Sequence, residues 1–182
     1  HFRIATKDAS VGLPEVHLGL LPGSAGTQRT PRLVGVKSAI DIMTTGKPVK
    51  AEKALAIGAI DEIVDDLKSG AIAFANKVIE NATPLKRVSK SEERVENNSE
   101  NLEVIAQERA KWKKNSPHLN APQKIIDCVE QAVLLDYAGG MNFEQKTFQG
   151  LMDSDQSKSL IHAFFAERKS NKIPELERGA KP

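Results

Sequence analysis

The apolar positions of the chain begin with a two-residue period and soon change to a helical one. Phe2-Arg3-Ile4-Ala5 alternates apolar and polar residues, and Val11 to Val16 is a second short extended candidate, interrupted by Pro14. Gly19-Leu20-Leu21-Pro22-Gly23-Ser24-Ala25-Gly26-Thr27 is a glycine-rich turn that feeds a short helix ending at Gly35. Lys37 to Thr45 predicts a helix with Ile40 and Met43 inward, stopped by Gly46 and Pro48. Ala51 to Ile57 predicts another, closed by Gly58, before an extended piece from Ala59 to Val64.

From there the pattern is helical. Leu67, Ala71, Phe74, Ala75, Val78, Ile79 and Ala82 recur at helical spacing until Pro84. Residues 84–98 are polar and charged and read as an exposed connection, although Ser89 and Glu92 have the spacing of a capping box. Leu102, Ile105, Ala106, Arg109 and Trp112 make one stripe, closed by the polar turn Lys111 to Pro117. Asn120 is placed to cap a helix carrying Ile125, Ile126, Val129, Ala132 and Val133, which Gly139-Gly140 should break. Phe143, Thr147, Phe148 and Leu151 predict a further helix, and Leu160, Ile161, Phe164 and Phe165 the last. The expected class is mainly α with a few short strands. It divides into a unit over 1–83, the connection 84–98, a helical segment 99–173, and a linker-like tail 174–182.

Composition narrows what such a chain does. With 40% hydrophobic residues among 182, it can bury a core, so wholesale disorder is excluded. Lys plus Arg is 26 against 24 for Asp plus Glu, and this near balance supplies no long-range field for nucleic acid or anionic membrane. No apolar run reaches bilayer length, and residues 1–6 show no charged leader followed by an apolar stretch. The opening His1-Phe2-Arg3-Ile4, without a Met, suits the middle of a buried strand and suggests a piece of something longer. A single cysteine, Cys128, excludes an internal disulfide and favours a reducing compartment.

The candidate chemistry is sparse. No Gly-x-Gly-x-x-Gly and no phosphate loop is present. His1, His17, His118 and His162 have no paired spacing, so no metal site is expected. His17 falls on a polar turn, and Cys128, among Ile125, Ile126 and Val129, reads as a packing residue. Most carboxylates read as exposed. Gly23 to Thr27 could present backbone N–H groups to an anion or carbonyl oxygen, or be a plain turn before a helix. Glu15 stands out at a strand end, between Pro14 and Val16 and just before that turn. Among these apolar neighbours it could be a proton-transfer group, but by itself it reads first as a solvated carboxylate.

The run Gly12-Leu13-Pro14-Glu15-Val16-His17-Leu18-Gly19 through Pro22-Gly23-Ser24-Ala25-Gly26-Thr27-Gln28-Arg29 to Gly35 resembles the crotonase, or enoyl-CoA hydratase/isomerase, superfamily. Thr45-Gly46 and Ala54 to Asp61 fit the same family. Ala25 stands where a glycine is usual, a change tolerated where φ is negative. Trp112 to Pro117, Ala121-Pro122, Phe148 and Ala163 to Lys172 are similar to multifunctional β-oxidation enzymes of the peroxisomal bifunctional type and their bacterial relatives.

The resemblance implies a partial crotonase fold over 1–83, completed by helices over 99–173, with a dehydrogenase module expected beyond 182. It implies a hydratase/isomerase acting on 2-enoyl-CoA thioesters in fatty-acid β-oxidation. Glu15 would exchange the α-carbon proton, with Pro14 and the Gly23 N–H positioning water. Phe148 would pack beside CoA. The family's basic residue near the end of the last helix aligns with Glu167 here, leaving Arg168 and Lys169 as the CoA contacts. No cofactor beyond the CoA substrate is implied; NAD belongs to the downstream module. Peroxisomal matrix or bacterial cytoplasm is the implied location.

The family's oxyanion loop and Gly-Gly-Gly-x-Glu helix are not in this sequence. The chain by itself is therefore expected to be inactive, with unpaired strand edges that favour self-association. The competing class is a non-catalytic helical module that packs or links domains.

Overall fold

A computed structural model describes residues 1–170, so the tail from 174 and its expected linker character lie outside the described residues. The strands are short. β1 (Ile4–Thr6) pairs in parallel with β4 (Glu62–Val64), and β2 (Ser10–Val11) pairs antiparallel with β3 (Val49–Lys50). The extended piece expected over Val11 to Val16 stops at Val11, because Pro14 opens a 3-10 helix over Pro14–Leu18. Proline suits that first position, since its φ is already helical and its missing N–H would have had no partner there. Gly19, at φ 68, ends the helix by donating to the carbonyls of Glu15 and Val16.

Two consecutive helices form the centre: α1 (Gly26–Val34) and α2 (Val36–Thr45), joined at Gly35. α2 buries Ala39, Ile40, Ile42 and Met43, the inward face that its spacing predicts. α3 (Ala51–Ile57) and α4 (Leu67–Glu80) follow, with β4 between them. α4 is capped by Asp66, whose carboxylate accepts from the Ser69 N–H. It buries none of its residues, and Leu67, Ile72 and Ile79 are exposed.

Residues 84–98 are largely exposed, but they hold two single 3-10 turns, Val88–Lys90 and Glu93–Val95, with Val95 buried. No helix starts from Ser89 and Glu92. The next helix, α5 (Ser99–Asn115), begins ten residues after Ser89, with Asn98 accepting from the Asn101 N–H. α6 (Asn120–Leu134) and α7 (Tyr137–Met152) come next, and α8 (Asp155–Ser170) last. Asn120 is the first residue of α6 and not its cap; its N–H is taken by Gln156 Oε1 at 2.8 Å. Gly139-Gly140 breaks nothing. The break falls at Leu135 and Asp136, where the Asp136 carboxylate accepts from the Gly139 N–H and starts α7, leaving both glycines inside it.

One apolar core joins the two halves of the chain. Leu21, Val36, Ile40 and Met43 meet Ile105, Ile125, Ile126 and Val129, all at most 2% exposed. α5 is tied to α6 by Arg109, which donates to Asp127 and Glu130 at 3.0 Å each. The architecture is mainly helical with few short strands, as the pattern predicts. Among the described residues no helix is long and apolar enough to cross a membrane, and no cluster of His, Cys, Asp and Glu could hold a metal ion.

Candidate active site

The 3-10 helix carries Glu15 in its first turn, so Glu15 does not sit at a strand end. Its side chain is half-buried, and Oε2 is fully buried without a hydrogen-bond partner among the described residues. Its backbone carbonyl accepts the Leu20 N–H at 3.1 Å, which leads the chain directly into the glycine-rich turn. Pro14 is exposed at the start of this helix. His17 lies on the same short helix and not on a free turn. A Cβ on Gly46 would meet His17 Nε2 at 2.5 Å, so Gly46 is both the left-handed end of α2 and the floor under His17.

The turn itself is tightly wound. The Gly23 carbonyl accepts from the Gly26 N–H at 3.0 Å, while among the described residues no acceptor takes the Gly23 N–H. Ser24 and Ala25 have φ of 54 and 68. Ala25 therefore adopts the left-handed region that glycine favours, contrary to the negative φ under which an alanine there is tolerated without strain. Phe148, from α7, covers the turn: a Cβ on Gly23 would lie 3.4 Å from its ring. Gly26 has no room for a Cβ because Pro22 lies 2.6 Å from where it would stand.

The structure places Phe148 against Gly23, and Pro14 and Glu15 on the short helix that leads into the same turn. Arg168 and Lys169 stand apart, about 12 Å further along α8 than Leu160, which touches Gly19. Arg168 stacks over the Phe164 ring at 4.1 Å. Cys128 is fully buried beside the site, and burial pushes its thiol up to about 12, with the Glu144 charge adding to the effect. It stays an unreactive packing residue.

One participant escaped the sequence reading. Glu144 is not among the exposed carboxylates: at 3% exposure it accepts from the Ala25 N–H, the Thr27 N–H and the Thr27 hydroxyl. The available signal was its spacing, four residues before Phe148 and four after Gly140, which puts a charge on the helix face that meets the turn.

The mainly helical chain, with few short strands and a covered glycine turn that opens a helix, has the architecture of a partial crotonase fold. The chain belongs to the enoyl-CoA hydratase/isomerase family, whose sequence model matches residues 1–121. It is 40% identical over 176 residues to a glyoxysomal fatty acid beta-oxidation multifunctional protein of Cucumis sativus. It is 38% identical over 173 residues to the peroxisomal bifunctional enzyme of Homo sapiens. These alignments cover 96% and 94% of this chain but 24% of each relative, so the chain spans about a quarter of the length of the curated relatives it matches. Among solved structures, a carnitinyl-CoA hydratase from Mycobacterium avium superposes with a TM-score of 0.56 at 26% identity, over 92% of this chain and 52% of that one.

Proposed function

We propose that the whole protein hydrates or isomerises 2-enoyl-CoA thioesters in fatty-acid β-oxidation, with Glu15 as the residue that exchanges the proton at the α-carbon. The observation that carries this is the Glu15 carboxylate: one buried oxygen without a partner, half-buried beside a turn whose Gly23 N–H is also unclaimed. Buried polar atoms are normally satisfied, so an orphan acceptor and an orphan donor on one continuous 3-10-helix-and-turn segment suit a bound reactant.

In hydration, the oxygen of water bonds to the β-carbon as the C=C π bond opens and water gives one proton to a base of the whole protein; the thioester carbonyl oxygen carries the transient negative charge until a proton is delivered to the α-carbon. Glu15 supplies or removes the α-proton. The Gly23 N–H donates to the water, and Pro14 fixes the entry of the helix that presents Glu15. Phe148 forms an apolar wall over the turn, suited to the thioester arm of CoA. Arg168 and Lys169 meet the CoA phosphates where the substrate's far end extends along α8. No cofactor takes part beyond the CoA of the substrate.

The test is direct. Purified whole protein, mixed with a short 2-enoyl-CoA, should consume the conjugated thioester and yield 3-hydroxyacyl-CoA; intact substrate after prolonged incubation at high protein concentration would sink the reading.

The reading extends to partners and place. The two-stranded parallel pair β1–β4 and the exposed Leu67, Ile72 and Ile79 of α4 leave apolar surface that a parallel sheet normally covers. That surface supports packing against other parts of the protein or a second copy. Sedimentation of the 182-residue chain should show self-association that rises with concentration, and a single monomer species throughout would contradict it. The names of the relatives, glyoxysomal and peroxisomal, support the peroxisomal matrix, with bacterial cytoplasm as the counterpart for a bacterial source.

A further inference from the structure

The hydratase reading gives Glu144 no task, yet it is the most heavily invested carboxylate among the described residues. Oε1 accepts the Ala25 N–H at 2.7 Å, and Oε2 accepts the Thr27 N–H at 2.9 Å and the Thr27 hydroxyl at 2.6 Å. Leaving a charge in this interior is costly unless donors surround it, and here three do. α1 has no side-chain cap of its own at Ala25, and Glu144 supplies one from another helix, where the positive end of α1 favours an anion.

The turn that it grips is not a conformation its residues choose. Ser24 and Ala25 both sit at positive φ, at a cost of about 1–2 kcal/mol each for residues with a Cβ. Something outside the turn must hold it. Glu144 binds the two N–H groups that flank Gly26, and its neighbours one helical turn away press on the same strip: Gly140 against Gln28 and Phe148 against Gly23. These contacts come from α7, beyond residue 121, where the family match ends.

We propose that Glu144 is a positioning residue for the reaction. Its three hydrogen bonds lock the Gly23–Thr27 turn in its left-handed form, so that the Gly23 N–H keeps a fixed aim at the reacting water. This rests on the hydratase reading above, and it assigns a task in that reaction to a helix outside the matched region.

The test uses the whole protein and the variants Glu144→Gln, Glu144→Ala and Glu15→Gln. Measured are kcat and KM for a short 2-enoyl-CoA, and backbone hydrogen exchange of the peptide spanning the turn. Glu144→Gln keeps the shape but turns one acceptor into a donor facing an N–H. Its kcat should fall by about tenfold, less than the roughly 10² to 10³ that outright loss of an oxyanion-positioning donor costs, because the Gly23 N–H is misaimed and not removed. KM should stay within about threefold, because the substrate contacts remain. Exchange should rise over the turn and stay unchanged over α5 and α6. Glu144→Ala should lose more, and added acetate should restore part of its kcat by refilling the carboxylate site.

Unchanged turn exchange in Glu144→Gln would overturn the proposal, as would a loosened turn with parent kcat. If Glu15→Gln loses activity while Glu144→Gln neither loosens nor slows, positioning fails alone. If Glu15→Gln keeps parent activity while Glu144→Gln is loosened and slow, positioning stands and the Glu15 assignment fails. Should Glu144→Ala not fold, Thr27→Val removes one donor to Glu144, along with an acceptor of Gln28 Nε2 that keeps its bond to the Cys128 carbonyl, and should give a smaller loss of kcat, about threefold, with the same local rise in exchange.

Discussion

Glu15→Gln should lower the kcat of the whole protein by about 10² to 10⁴, the range for a positioned proton-transfer group. The change keeps side-chain size and one carbonyl acceptor but removes the exchangeable proton and the charge. KM should hardly move, because most of the binding comes from the CoA portion and from N–H donors that the substitution leaves in place. Stability should hold within about 1 kcal/mol, since the one buried oxygen of Glu15 has no hydrogen bond to lose. Steady-state kinetics with a short 2-enoyl-CoA, beside a thermal melt of the same preparation, check all three. Activity within a few-fold of the parent would return Glu15 to the class of partly solvated carboxylates.

Gly140→Ala should destabilise the chain by about 2 kcal/mol, and Gly150→Ala in the same helix should stabilise it. A Cβ at Gly140 would overlap the Gln28 side-chain amide. Gln28 cannot swing away, because it is fully buried and its Nε2 donates to Thr27 Oγ1 and to the Cys128 carbonyl. Overpacking costs about 1–3 kcal/mol and a broken buried hydrogen bond about 1–3 more, while the better helix propensity of alanine returns only about 1. At Gly150 nothing lies within 4 Å of the added methyl, so only that gain of up to about 1 kcal/mol remains. Denaturant unfolding of both variants checks the pair. Equal shifts of the same sign would show that α7 does not press on α1 through Gly140.

That glycine also marks where the sequence is legible and where it is not. The inward faces of α2 and α6 follow from period alone, because Ile40 and Met43, or Ile125, Ile126 and Val129, are apolar residues at helical spacing with a core to fill. Glu15 is singled out by the long motif around it, and its role stays a proposal. Glycine and proline are ambiguous without neighbours, however. Gly139-Gly140 has the composition of a helix break, yet the space beside Gln28 gives Gly140 a packing role inside a helix. Pro14 interrupts a strand pattern, but what it does is begin a 3-10 helix, and that moves Glu15 from a strand end to a helix.

Glu144 was hidden for a different reason. A carboxylate between Phe143 and Gln145 looks solvated until a second segment, 117 to 119 residues earlier in sequence, brings three donors to it. Long-range pairing of that kind leaves no local period. Ala25 shows the converse: its left-handed backbone cannot be read from an alanine, and the carboxylate that holds its own N–H and that of Thr27 comes from a distant helix.

The central claim is that Glu15 moves the proton at the α-carbon, and that proton can be followed directly. The whole protein, incubated with 3-hydroxyacyl-CoA in D2O, should wash deuterium into the α-position through reversible loss and return of water. Mass spectrometry of the recovered thioester measures it. The parent should incorporate one deuterium at the α-carbon, and Glu15→Gln should retain protium there over the same time, with its fold intact by thermal melt. Deuterium entering the α-position at the parent rate in Glu15→Gln would contradict the account.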